Sequence, residues 1–229
     1  MNKTTSVVFL LLLSSQLFAS ALTPEINKIE SQWAKIYYAE NSKQQSKHFP
    51  LLIEEAEKLS KKYPKALEPI VWQAIIIATN AAFESPFKAL ESIQTAKALL
   101  EHVISVEPET LEGAALVTLG TLYYMSPGWP ISFGNQQTAE SLLKKALKIN
   151  PLSIDSNYFY ADYLVSKGNL EIAQAYFKKA LNAPTRNHQE YADTQLKKEA
   201  LSALKSTERR KLEAGKNKFL SLFSSAKSD

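Results

Sequence analysis

The chain has 229 residues, 45% of them hydrophobic and 22% charged, which is enough to bury the core of one compact domain or one short repeat array. Its formal net charge of +4 is too small to indicate the concentrated basic face that nucleic-acid binding needs. The sequence contains no cysteine, which excludes disulfides, thiol nucleophiles, zinc–thiolate sites and the lipid-attachment cysteine of a lipoprotein.

The first 21 residues are predicted to be a cleavable signal peptide. Lys3 gives a positive start, residues 7–13 are uniformly apolar, and Ala19-Ser20-Ala21 supplies the small residues of a cleavage site. An uncleaved N-terminal anchor is the alternative, although the apolar run is shorter than the roughly 20 residues that span a bilayer. We therefore expect a periplasmic protein that begins at Leu22, has no transmembrane segment and is not a lipoprotein.

Two helices are predicted directly after this segment. Thr23 is a typical N-cap with Pro24 at the first helical position, and the helix is expected to run to about Glu40. The second helix is expected to end before Pro64. Its apolar stripe consists of Leu52, Ala56, Leu59 and Tyr63.

Three helix pairs with related sequences follow. Small residues at matching positions let paired helices approach closely, and a proline closes each pair. The clearest pair begins near Ile154 and ends at Pro184, with a turn at Gly168. Its small and aromatic positions are Ala161, Ala173, Phe177 and Ala180. The pair before it has Leu119, Gly120, Tyr123, Ala139, Ala146 and Pro151. A weaker pair has Trp72, Ala89, Ile93, Ala96, Leu100, Val103 and Pro108.

This pattern resembles the tetratricopeptide repeat, specifically over residues 111–184 and more loosely over 44–108. It predicts an all-α fold, a tetratricopeptide-type array of antiparallel helix pairs that forms a short superhelix. The segment from Ser126 to Gly134, followed by an Ala-rich second helix, is also similar to periplasmic tetratricopeptide proteins that are associated with TRAP-type transporters, often called the T component. That resemblance implies a small, often hydrophobic ligand held in a cavity among the helices.

A loop inside one pair departs from the repeat. Gly120 and Ala139 are 19 residues apart, whereas Ala161 and Ala173 in the next pair are 12 apart. The insertion carries prolines and glycines that define its path, together with Trp129 and Phe133. The two aromatic residues either form part of a ligand or docking site, or cover the exposed end of the helix pair.

The first helices of the pairs are expected to line a groove. In the repeat register this surface combines apolar, aromatic, amide and hydroxyl groups with one carboxylate, a composition suited to a small amphipathic ligand or a peptide. A merely solvated face is the alternative. The predicted lining residues are Gln73, Ile77, Asn80, Val117, Thr121, Tyr124, Tyr158 and Asp162.

No sequence motif indicates catalysis. Histidines His48, His102 and His188 lack the spacing typical of metal ligands, and no nucleophile elbow, phosphate loop or zinc-protease motif is present. We therefore expect a protein that is not an enzyme and binds neither a cofactor nor a metal.

The chain is predicted to comprise a signal peptide (1–21), a repeat domain (22–205) and a basic amphipathic C-terminal segment (206–229). Residues 191–204 and 212–223 are predicted to form two closing helices. The apolar stripe of the second one either caps the array or contacts an anionic membrane surface. It consists of Leu212, Phe219, Leu222 and Phe223.

Two functions agree with these features. The first is a periplasmic binding protein that holds a small amphipathic ligand between the groove and the loop, in association with a transporter. The alternative is a protein–protein interaction scaffold in cell-envelope assembly that uses the groove for a peptide or a partner helix.

Overall fold

The computed structural model describes the backbone of residues 3–224 and the side chains of residues 21–213. The predicted signal peptide therefore lies almost wholly outside the described side chains. Along the described backbone nine α-helices follow one another in chain order. They are α1 (Lys3–Ala39), α2 (Ser42–Lys62), α3 (Glu68–Asn80), α4 (Pro86–Val106), α5 (Ala114–Met125), α6 (Gln136–Ile149), α7 (Ile154–Ser166), α8 (Leu170–Asn182) and α9 (Glu190–Ser224).

The chain divides into two compact units, residues 1–99 and residues 100–229. In the first unit α1, α2 and α3 pack against one another. The Trp33 ring stacks on Tyr37 and donates a hydrogen bond from Nε1 to Thr79 Oγ1 at 3.1 Å. This bond joins α1 to α3. The predicted stripe of α2 faces the core of this unit, since Leu52, Ala56 and Leu59 are buried.

The second unit is a two-layer array of helix pairs. Helix α5 pairs with α6, α7 pairs with α8, and α9 packs on α8. The first helices also contact one another, α5 with α7 and α7 with α9. Because each pair contacts only its neighbours, this arrangement is that of a tetratricopeptide-like helical repeat. The all-α repeat fold predicted from the sequence is confirmed.

Small residues hold the paired helices together, as the repeat pattern predicts. Every alanine of the pattern in the second unit is fully buried, and Phe177 and Leu143 fill the space between the helices. These alanines are Ala139, Ala146, Ala161, Ala173 and Ala180. Gly120 lies so close to α6 that an added Cβ would be 2.8 Å from Leu143 Cγ. A glycine at this position is therefore required by close packing rather than by backbone conformation.

Two predicted helix boundaries are wrong. Helix α9 is continuous from Glu190 to Ser224, where two closing helices were expected. Polar residues interrupt the apolar pattern near Lys205, but neither proline nor glycine breaks the helix there. Helix α1 begins at Lys3 rather than at Thr23, so that Pro24 lies inside it. Proline removes a single backbone hydrogen bond, and the helix continues through it.

A charged cluster fixes the start of α9. Asp193 is fully buried and accepts hydrogen bonds from the Arg186 backbone N–H at 2.7 Å and from Arg186 Nε at 3.1 Å. Arg186 Nη1 also donates to Asp155 on α7 at 2.7 Å. The arginine therefore joins the segment before α9 to both α7 and α9, and its charge compensates the buried carboxylate.

No helix within the described residues has the length and apolar character needed to cross a membrane. At the C-terminal end of the described side chains, Leu212 is 75% exposed. Of the two alternatives for the stripe, burial against the array does not occur at this residue. The other three residues of the stripe lie outside the described side chains.

Candidate functional site

Helices α5 and α7 are joined by a polar contact between two of the predicted lining residues. Tyr124 Oη donates a hydrogen bond to Asp162 Oδ2 at 2.5 Å, although the two residues are 38 positions apart in the sequence. Burial and the nearby Asp162 carboxylate raise the pKa of Tyr124. The phenol therefore stays protonated at physiological pH and donates to the carboxylate.

Aromatic rings surround this pair. The Tyr124 ring meets Tyr163 edge to face, with 5.8 Å between centroids. On α7 Tyr158 meets Phe159 edge to face at 5.1 Å and lies 5.8 Å from Phe177 of the core. Tyr158, Phe159 and Asp162 are all half-buried, so each has part of its surface in solvent. The half-buried Asp162 carboxylate therefore shares α7 with two half-buried aromatic rings, and its partner Tyr124 packs on the Tyr163 ring.

Other predicted residues of the second unit have structural contacts. Val117 is buried in the core, and Thr121 donates its hydroxyl hydrogen bond to the Val117 carbonyl at 2.9 Å. Tyr163 was not predicted, yet its hydroxyl donates to the Gln136 carbonyl at 3.2 Å and its ring packs on Tyr124. Sequence spacing gives no signal for that contact, because it joins separate repeats.

The three predicted residues of α3 belong to the first unit. Ile77 and Asn80 are buried, and Asn80 Nδ2 donates a hydrogen bond to Glu84 Oε1 at 2.9 Å. Gln73 is half-buried, and its Oε1 accepts a hydrogen bond from Ser60 Oγ at 3.0 Å. Their assignment to a ligand site stays a prediction.

The two aromatic residues of the inserted loop have opposite environments. Phe133 packs edge to face on Tyr123, with 5.2 Å between ring centroids, and so attaches the loop to α5. Trp129 is 90% exposed. The sequence left open whether these residues form a binding site or cover the end of the helix pair. In the structure Phe133 packs on the helix pair, whereas Trp129 projects into solvent.

Titratable groups on these surfaces are few. Among the described residues no group of three or more His, Cys, Asp or Glu side chains is arranged to hold a metal ion. His48 Nδ1 pairs with Glu40 Oε2 at 2.7 Å in the first unit.

Comparison with known proteins adds little to this description. No protein-family model matches the sequence, and no curated protein matches it. Among solved structures the chain is similar to the crystal structure of MamA, with a TM-score of 0.40 and 20% identity over 78% of this chain and 99% of that chain. The assignment to helical repeat proteins accordingly rests on the helix pairing and the repeat residues of this chain.

Proposed function

We propose that this protein is a non-catalytic interaction module that binds a protein partner on the surface of α5 and α7 around Asp162. The observation that carries the proposal is the Tyr124–Asp162 hydrogen bond, which fixes a half-exposed carboxylate between two repeats. First helices of successive repeats are the elements that present a continuous binding surface in helical arrays.

The chemistry of this surface defines the partner. Asp162 Oδ2 accepts from Tyr124, which leaves Oδ1 as an acceptor for a backbone N–H or a cationic side chain. Tyr158 and Phe159 offer half-buried rings beside it. We expect a peptide segment or a helix with an apolar side chain next to a hydrogen-bond donor, a common combination at interface hot spots.

We also propose that the protein is not an enzyme. The hydrogen-bonded pair at this surface is a tyrosine and a carboxylate, and the raised pKa of Tyr124 disfavours the phenolate that a nucleophile or a base would need. No nucleophile paired with a base is found on the described surface of α5 and α7. These features support recognition rather than chemistry.

Export to the periplasm is part of the same proposal. It is supported by the apolar segment of residues 7–13 and by the small residues that end at Ala21. Mass spectrometry of protein purified from the periplasmic fraction tests it. A mature N-terminus at Leu22 supports export with cleavage, whereas an intact Met1 in the cytoplasmic fraction contradicts it.

A small amphipathic ligand, with transporter association, is the second candidate. The half-buried aromatic rings of Tyr158 and Phe159 favour it, as does the loop that resembles TRAP-transporter T components. Native mass spectrometry before and after denaturation tests this candidate. A co-purifying small mass that is lost on unfolding would support it, and the bare mass of the chain would count against it.

Partner capture tests the leading proposal. We would purify the tagged protein after crosslinking and identify captured proteins by mass spectrometry for the native chain, Tyr158→Ala and Asp162→Asn. Ile172→Ala is the control, since Ile172 is an exposed hydrophobic residue of α8, a second helix. Loss of a specific partner in the first two variants and its retention in the control is expected. Equal capture by all four proteins would refute the proposal.

A further inference from the structure

The loop between α5 and α6 ends in an exposed apolar tip. Trp129 is 90% exposed and Ile131 is 66% exposed, and Pro130 between them is exposed as well. At the start of the loop Met125 is 69% exposed. Adjacent exposed hydrophobic side chains on a defined loop indicate an interaction site.

The loop holds this tip on a fixed backbone. The Gly134 N–H donates to the Pro127 carbonyl at 2.9 Å, and the Asn135 N–H donates to the Tyr123 carbonyl at 2.9 Å. Gly134 is so tightly enclosed that an added Cβ would be 2.1 Å from the Ser126 carbonyl oxygen. Because the backbone is already ordered, docking the tip costs little conformational entropy.

The backbone of the tip has few hydrogen-bond donors left to desolvate. The Ile131 and Ser132 N–H groups both donate to the Gly128 carbonyl, at 3.1 Å and 3.3 Å. Pro130 has no N–H, and the Ser132 side chain is buried. The bonded Ile131 N–H can therefore enter an environment with little water, where a free donor would cost several kcal/mol.

The segment also lacks charge. No Asp, Glu, Lys, Arg or His occurs from residue 113 to residue 139, between Glu112 and Glu140. A charged side chain beside the tip would be costly to bring into a bilayer, and none is adjacent in sequence. The exposed polar residues that follow the tip, Asn135, Gln136 and Gln137, are uncharged amides. Tryptophan is moreover the residue that prefers the boundary between lipid headgroups and acyl chains.

We propose that the tip formed by Trp129, Pro130 and Ile131 inserts into the interfacial region of a phospholipid bilayer and docks the protein peripherally on a membrane. The interaction is apolar, so it occurs on zwitterionic as well as on anionic lipid. It is independent of partner binding at Asp162 and uses a different part of the second unit.

Quenching of tryptophan fluorescence by lipid tests the proposal. The protein is expressed from the 229-residue sequence and mixed with phosphatidylcholine vesicles, with or without phosphatidylglycerol, that carry brominated acyl chains. Trp33 and Trp72 lie within the packing of the first unit, so they supply a constant background. We expect quenching in the native chain on both vesicle types and loss of the quenched component in Trp129→Ala.

Matched variants distinguish insertion of the tip from nonspecific adsorption of the protein to vesicles. Vesicle sedimentation measures how strongly each variant partitions onto lipid. Ile131→Ala keeps the Trp129 fluorophore and is expected to weaken partitioning roughly tenfold. Trp129→Ala is expected to weaken it roughly ten- to a hundredfold. Leu152→Ala removes a residue that is also 66% exposed but lies outside the loop, and it should leave partitioning unchanged. Thermal unfolding by circular dichroism checks that all variants are folded.

Three results would overturn the proposal. The first is absence of Trp129 quenching at millimolar lipid. The second is binding only to phosphatidylglycerol vesicles without any effect of Trp129→Ala, which assigns membrane binding to a basic segment. The third is a requirement for Trp129 in capturing a protein while lipid has no effect, which makes the tip a protein contact.

Discussion

Replacing Gly120 with alanine tests how closely α5 and α6 pack. A Cβ at this position would lie 2.8 Å from Leu143 Cγ and 3.1 Å from Leu143 Cδ2, and Leu143 is fully buried. Alanine in a helix interior gains about 1 kcal/mol over glycine, whereas overpacking a filled core costs about 1–3 kcal/mol. We expect Gly120→Ala to lower the free energy of unfolding by about 1 kcal/mol.

The same substitution should have the opposite sign when Leu143 is shortened. Leu143→Ala alone removes a buried side chain and costs about 2–5 kcal/mol. In that background the clash is absent, and Gly120→Ala should raise the free energy of unfolding by up to about 1 kcal/mol through helix propensity. Urea denaturation followed by circular dichroism, together with hydrogen exchange of α5 peptides, measures all four proteins.

Gly168→Ala is the control for this double-mutant cycle of Gly120 and Leu143. Gly168 has φ +76° and no atom within 4 Å of an added Cβ, so alanine there acts through backbone strain of about 1 kcal/mol. Its effect should be the same with and without Leu143→Ala. The packing argument would be refuted if Gly120→Ala destabilised both backgrounds equally.

Three further predictions concern other parts of the second unit. Asp193→Ala should lower the free energy of unfolding by about 1–3 kcal/mol in urea, because it removes the buried acceptor of the Arg186 backbone N–H and guanidinium, although Asp155 still pairs with the guanidinium. Gly134→Ala should increase hydrogen exchange in the loop of residues 126–135 and leave α8 unchanged, since its Cβ would meet the backbone at 2.1 Å. Burial raises the pKa of Glu199 in the folded protein. Protonated Glu199 therefore favours the folded state at low pH, and this contribution to the free energy of unfolding is lost as pH rises through the raised pKa. Glu199→Gln should therefore have the higher melting temperature near pH 7, with the difference vanishing at about pH 3.5.

Each of these has a result that would contradict it. A loss below about 1 kcal/mol in Asp193→Ala would mean that the ion pair contributes little beyond its own desolvation. Unchanged exchange in the Gly134 loop would mean that the loop adapts to a side chain there. An equal melting temperature of the Glu199 variant and the native chain near pH 7 would mean that the carboxylate is well solvated.

The helical repeat could be predicted because its signal is local and periodic. Ala161, Ala173, Phe177 and Ala180 recur at spacings that place them on facing helix surfaces, and all four are fully buried. The end of α1 at Ala39 and of α2 at Lys62 also agree with the expected stops near Glu40 and before Pro64. Proline and small-residue patterns act over a few residues and are visible in one sequence.

The candidate site was less predictable because its contacts join distant parts of the chain. The register placed both Tyr124 and Asp162 on the lining surface, but nothing in the sequence indicated that they bond to each other. Burial of Val117 follows from the rotation of α5 against its neighbours, which a shift of one position in the register changes. The exposure of Trp129 depends on the loop hydrogen bonds around Gly134, and these arise from tertiary folding.

Photo-crosslinking from single positions is the most direct test of the central claim that the surface of α5 and α7 is the binding surface. Benzoylphenylalanine would replace Thr121 or Tyr158 on that surface, and Ile172 on α8 as the control. We predict that the first two positions crosslink to the same partner in cells and that Asp162→Asn weakens both crosslinks. A partner crosslinked from Ile172 alone, with none from Thr121 or Tyr158, would contradict the account.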